Sequence, residues 1–352
     1  MLSRLVGLLT WLIAPMAVSV IFGSCSETRY LLQAGPGQLE LATRSRPISE
    51  VIADSGTDAR TRALLIEVER IRDYANSNEL ATRGNYQQYV DLNRSAVVYF
   101  LAASKPLAFE PKLWNFPFVG SFPYTGWFDF WAAQWTRKRL EQQGWDVTIR
   151  PVRAYSTGGW LHDPVLSTML TGGDGAIRYL ANVVLHELTH ANFFIANQAT
   201  FNESLASFVG DQMADDYLIE RFGATSTEVS SYRAEQHAHD NQNKQMAAAY
   251  AALSSLYQSS ATTAEKQAAK KTLLRKLRID ADLAFQPNNA SLVGFKTYNS
   301  GRREFKTLYT RCGSDWKRFF RRIKALSPSS FPSEQMEAID SFVAKLAASE
   351  CP

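Results

Sequence analysis

The run His186-Glu187-Leu188-Thr189-His190 sets two imidazoles and one carboxylate at a spacing that suits a single divalent ion. On an α-helix, side chains four residues apart stand one turn along the axis and about 40° apart around it, so both rings reach one point. Glu187 points in a neighbouring direction, close enough to take a proton from water beside the ion without ligating it. The chemistry implied is hydrolysis by an activated water. Two ordinary histidines on a core helix would give the same letters, but the flanks argue otherwise. Between residues 181 and 198 there is no proline, and the only acid or base besides the two histidines is Glu187. On so apolar a helix that acid stands where burial is costly.

A hydrolytic zinc site uses three protein ligands and leaves one position for water. Glu203 is the third ligand, at the start of a second helical stretch, residues 201–209, beyond a polar turn at Asn197-Gln198. Two antiparallel helices joined so tightly return Glu203 to the histidine pair. Asn202 reads as the cap of that helix, and a carboxylate in its first turn gains from the helix dipole. The plainer alternative makes Glu203 only such a dipole residue. One zinc ion is the expected cofactor, since two imidazoles and a carboxylate suit it best.

The elements that must position these groups read as an α+β chain dominated by helix. Residues 57–77 have helical spacing, with Leu64, Leu65, Val68, Ile71 and Tyr74 on one side. Residues 96–103 and 146–152 read as strands, 130–143 as a helix ended by Gly144, and 110–128, rich in proline, glycine and aromatics, as an ordered loop. Residues 155–164 form a glycine-containing loop before the histidine helix. Composition shifts after Gly223. Residues 228–280 read as a long helical hairpin turned near 259–263, with a solvated basic face over 266–278, and 291–327 as helix with Tyr298, Phe305, Tyr309, Trp316, Phe319 and Phe320 in the core. His237 and His239 read as exposed, and His162 as structural or substrate-facing. The expected organisation is a signal over 1–24, a catalytic region over 25–222, and a helical region over 223–352 of the same unit.

The block around the metal motifs resembles the bacterial putative aminopeptidase family of HExxH zinc metallopeptidases. The resemblance rests on Tyr155-Ser156-Thr157-Gly158-Gly159-Trp160, Asp163-Pro164, the HExxH run and Phe201-Asn202-Glu203-Ser204. It extends to Tyr124-Thr125-Gly126-Trp127-Phe128, to Cys25, Tyr30, Gln33-Ala34 and Gly37-Gln38-Leu39, and downstream to Tyr298. It implies a zincin-like (gluzincin-type) fold, with His186, His190 and Glu203 as ligands, Glu187 as base and a peptide as substrate. Tyr155 and Tyr298 are the phenols whose motif context suits a donor to the developing oxyanion, with Tyr124 a third. For each, the alternative is a hydroxyl that satisfies a buried backbone group. The chain departs from the thermolysin-like pattern at Ser207, where an Asp would orient a histidine, so that support must come from elsewhere, with Asp163 and Asp211 as candidates. It also lacks the Gly-x-Met-Glu-Asn segment that holds a substrate amine in one large aminopeptidase class. Aminopeptidase action is therefore implied by the family alone.

Residues 5–22 are almost wholly apolar and lead into Phe22-Gly23-Ser24-Cys25, the shape of a secretory signal with a lipoprotein-type cleavage site. Cys25 would be lipidated, tethering the enzyme in a bacterial cell envelope, facing the periplasm, with Ser26 favouring the outer membrane. An uncleaved membrane helix is the alternative. Cys312 and Cys351 then remain, either bridged or as separate thiols. A formal charge of +4 over 352 residues gives no case for nucleic-acid binding. Two rival functions stay open: a non-catalytic envelope lipoprotein with a structural metal site, and a zinc hydrolase acting on a non-peptide amide.

Overall fold

The computed structural model describes residues 25–116, 120–157 and 161–351. The apolar run before Cys25, with the signal read on it, and the Gly158-Gly159-Trp160 segment lie outside the described residues. Among the described residues, no helix is long and apolar enough to cross a membrane.

The fold is mostly helical with small sheets. It opens with helix α1 (Cys25–Arg44), followed by β1 (Arg46–Pro47) and α2 (Ile48–Ala53). Helix α3 (Ala59–Ser77) starts where Asp58 accepts the Thr61 N–H, and it buries Leu64, Leu65, Val68, Ile71 and Tyr74 as its periodicity required. Strands β2 (Gln88–Val90) and β8 (Val165–Leu166) pair in parallel, with β1 antiparallel to β2.

The sheet that matters for the site is antiparallel, in the order β6-β3-β7, with β3 (Val98–Ser104) between β6 (Tyr124–Trp127) and β7 (Asp146–Val152). Tyr124 stands opposite Ala102, Gly126 opposite Phe100, and Phe100 in turn opposite Arg150. One face carries Leu101, Ala103, Trp127 and Val147 against helix α4 (Phe130–Gln142) and Trp114. The other carries Phe100, Tyr124 and Arg150.

The segment expected as an ordered loop, 110–128, instead holds three short strands: β4 (Trp114–Phe116), β5 (Gly120–Phe122) and β6. Proline at 111, 117 and 123 limits each to a few residues. None is long enough to show a period of two. Helix α5 (Ala176–Phe193) bears the HExxH run and α6 (Ala199–Phe222) bears Glu203. The expected hairpin is present as α7 (Thr227–Gln258) and α8 (Thr263–Asp280). Its basic face is not wholly solvated: Lys270, only 12% exposed, reaches Asp146 at 2.5 Å and the Pro106 carbonyl at 2.8 Å. An ammonium with two acceptors can be held there, and it pins the hairpin to β7. His237 and His239 are exposed.

The remaining helices are α9 (Asn289–Asn299), α10 (Arg302–Arg311), α11 (Trp316–Lys324) and α12 (Ile339–Ala348). Phe305, Tyr309, Trp316, Phe319 and Phe320 are buried as expected. Cys312 and Cys351 form a disulfide, which settles the choice left open by the sequence and fastens the C-terminal end.

Candidate metal centre

Helices α5 and α6 run antiparallel and touch closely because α6 has glycine at the crossing. A Cβ on Gly210 would lie 3.0 Å from the Asn182 carbonyl oxygen and 3.1 Å from the His186 Cβ. The turn between the helices is built by Asn197, at φ 59°, and by Asn202. Asn202 is not the cap expected of it. Its Oδ1 accepts the Ile195 N–H at 3.0 Å and its Nδ2 donates to the Ile195 carbonyl at 2.7 Å, so one amide satisfies both backbone groups of a residue beyond the helix. The helix begins earlier, at Ala199, which puts Glu203 beyond its first turn. The dipole therefore contributes little there, and the carboxylate is 94% buried for another reason.

That reason is the histidine pair. His186 Nε2 and His190 Nε2 are 3.2 Å apart, and Glu203 Oε2 lies 3.6 Å from the first and 3.4 Å from the second. Bonds of about 2.0–2.2 Å in tetrahedral geometry put ligand atoms roughly 3.3 Å apart. The three edges match, so the donor set fits an ion of zinc's size and preference.

Electrostatics supports the same reading. Burial alone would lower the His190 pKa, but the neighbouring Glu203 carboxylate, with Glu187 and Asp163 further off, outweighs it and pushes the imidazole up to about 9. Burial alone would raise Glu203, yet the two imidazoles hold it well below the usual carboxylate range. A buried anion is thus kept ionised by cationic or metal-bound partners.

Two of the three candidate phenols stand at the cluster. Tyr124 donates to Glu203 Oε1, and Tyr298, on α9, stacks on His186 with ring centroids 6.4 Å apart and also engages Glu203. The Arg150 guanidinium lies 5.6 Å over the Tyr298 ring. Burial raises both phenols far above their usual pKa, so both remain neutral donors. Tyr155 is placed differently. Its ring meets Phe128 edge-on at 5.1 Å, near Tyr30 and Asp163. Tyr124, ranked third by motif context, thus bonds Glu203 directly, across 79 residues of sequence, and no local pattern announces that.

Glu187, next to His186 on α5, is half-buried, and its charge raises the pKa of Tyr86, Tyr124, Tyr298 and Asp163. Of the two proposed supports for the histidines, Asp211 is occupied by Asn182, Gln236 and Arg302. Asp163 accepts from Ser156 Oγ and from the Thr157 N–H and hydroxyl, and burial still pushes it up to about 6. Its charge reaches His190 through space. The exposed His162 ring covers Gly84.

A cleft of about 260 Å³ opens beside His190 and Glu203, lined by Phe122, Tyr124 and Phe194. Its lining at Ser121 and Asn197 is pinned by Gln335, which no sequence motif singles out. Gln335 donates its Nε2 to the Ser121 carbonyl and its N–H to the Asn197 carbonyl, while Asn197 Oδ1 accepts the Ser121 N–H.

No curated protein and no solved structure matches this chain. A family model does, over residues 29–338, a span that takes in α1, the sheet, both metal-motif helices and Tyr298. The chain belongs to the family described as "Putative aminopeptidase".

Proposed function

We propose that the protein is a zinc-dependent peptidase of gluzincin type, acting at the amino end of peptides. The observation that carries this reading is the triangle of His186 Nε2, His190 Nε2 and Glu203 Oε2 at tetrahedral-edge spacing. Membership of the family implies a peptide substrate.

His186, His190 and Glu203 would hold a zinc ion, which would supply a Lewis acid and a water of lowered pKa. The Glu187 carboxylate would accept a proton from the water that attacks the peptide carbonyl and deliver it to the departing amine. The Tyr298 hydroxyl, neutral at working pH, donates to the oxygen on which charge develops. Tyr124 holds Oε1 of Glu203 so that Oε2 keeps its aim. Phe122 and Phe194 give the cleft an apolar lining for a substrate side chain.

A structural metal clip is disfavoured because such a site closes with four protein ligands, and among the described residues the group that could hold an ion numbers three. Lipidation of Cys25 would place α1, and with it the enzyme, against the membrane of the cell envelope. Glu187→Gln is the test of the mechanism. Hydrolysis of a peptide library should cease while zinc content, read by elemental analysis, stays at one ion per chain. Turnover in that variant would remove the proposed base.

A further inference from the structure

Helix α1 covers part of the sheet's edge. In a strand, residues two apart direct their N–H and C=O groups to the same side, so Tyr124, Gly126 and Phe128 all address the edge of β6 that faces away from β3. On that edge the positions furthest from the metal ligands are already taken. The Phe128 N–H donates to Gln33 Oε1 at 2.7 Å, and the Asp129 N–H to the same oxygen at 3.3 Å. The Tyr30 hydroxyl hydrogen-bonds the Gly126 backbone. Tyr30 also packs edge-on to Trp127 at 5.5 Å and against Phe116 at 5.1 Å. The contact is locked further along α1: a Cβ on Gly37 would lie 2.2 Å from the Phe128 ring, a space that only glycine leaves. The other end of the same edge, at Tyr124, adjoins the site, since the Tyr124 hydroxyl bonds Glu203.

We propose that α1, through Tyr30 and Gln33, is the wall that limits the peptide to one or two residues ahead of the cleaved bond. The inference rests on the peptidase reading above. An extended peptide can add to β6 by backbone hydrogen bonds, and antiparallel pairing is the more stable mode. Chain direction then decides which end meets the wall. Strand β6 runs from Tyr124, beside the ligands, to Trp127, beside α1, so an antiparallel peptide runs from α1 towards the ligands. Its amino end therefore faces Tyr30 and Gln33. From Tyr124 to the group capped at Gly126 is a step of two residues, roughly 7 Å, room for two residues of peptide. A third residue would have to displace the Tyr30 hydroxyl and then Gln33, while the carboxyl side of the peptide meets no part of α1. The wall makes Tyr30 and Gln33 specificity-determining, and it supplies a physical basis for amino-end action that no amine-binding motif in the sequence provides.

Phosphinic pseudopeptides test this, because the phosphinate fixes which bond sits at the metal. The full chain, zinc-loaded in detergent, is titrated with a series bearing one, two or four residues before the phosphinate, and one or four after it. The expected result is that four residues in front weaken binding at least about tenfold, the loss of roughly one well-made hydrogen bond, while four residues behind change it little. In Tyr30→Ala/Gln33→Ala the penalty for the longer front should shrink; should that variant not fold, the wild-type series decides alone. Equal affinity for one and four front residues, or a penalty on the rear extension instead, overturns the wall and leaves the peptidase reading standing. Failure of every phosphinate to bind the zinc-loaded chain overturns the peptidase reading, and the wall with it.

Discussion

The Tyr124 hydroxyl donates to Oε1 of Glu203 while Oε2 of the same carboxylate faces both imidazoles. One oxygen is thus tethered to the sheet and the other faces the histidine pair, so Glu203 would offer a metal ion one oxygen. The central face of the sheet and the second metal helix are coupled through that single bond.

The two phenols at the site should separate by what they lose. Tyr124→Phe removes the tether, and zinc affinity should fall by about 10–100-fold, measured by competition with a chromophoric chelator. Tyr298→Phe should leave affinity nearly intact and lower kcat by about a hundredfold. Tyr155→Phe, whose ring meets Phe128 rather than the ligands, should alter neither by a comparable amount. If Tyr155→Phe proves the most damaging of the three for kcat, the donor has been misassigned.

Acid should displace the metal. In the metal-free protein the His190 pKa is up to about 9 despite burial, because Glu203 stabilises the cation. A ligand imidazole must be neutral, so at any pH below about 9 binding expels a proton from His190, and apparent zinc affinity should fall about tenfold per pH unit over pH 6.5–8.5. The sign for folding is the opposite. A folded-state pKa above the unfolded 6.5 contributes stability that is fully present below pH 6.5 and is lost as pH rises through about 9. The metal-free protein should therefore melt higher at pH 6.5 than at pH 9.5 from this group. A zinc affinity flat across that range would contradict the assignment.

Gly210→Ala should destabilise, against the usual gain. In an exposed helix interior alanine is favoured over glycine by about 0.8–1 kcal/mol. Here the new methyl meets the Asn182 carbonyl at 3.0 Å and the His186 Cβ at 3.1 Å. Backbone cannot move aside as a flexible side chain can, so the helices must part. A net loss of about 1–2 kcal/mol is expected once overpacking offsets propensity, with zinc affinity reduced as His186 moves from Glu203. Denaturant unfolding of the metal-free protein checks the first part; a stabilised variant would show the crossing to be looser than described.

How much of this was legible in the sequence follows from the range of the interactions. His186, Glu187 and His190 lie within one helical turn and a half, so period alone places them together. Glu203 follows once a short turn is granted. The long helices α3, α7 and α8 announce themselves by periodicity and punctuation. Tyr124 could not be ranked above Tyr155 in the same way, because its place depends on β6 pairing with β3 and on α6 crossing beneath. Asn202 resembled a cap because Asn before an apolar run usually is one; its partner, the Ile195 peptide, lies seven residues back in the turn. Strands of three or four residues between prolines carry too few alternations to read. The covering of the β6 edge by α1 joins residues 95 positions apart, and nothing local to either segment encodes it.

Everything turns on where a zinc ion sits, and anomalous diffraction at the zinc edge from crystals of the zinc-loaded chain measures that directly. A single peak should lie about 2.0–2.2 Å from His186 Nε2, His190 Nε2 and Glu203 Oε2, with Glu187 near it but unbonded. A peak bonded to Glu187 in place of Glu203, or no peak between α5 and α6, would contradict the account.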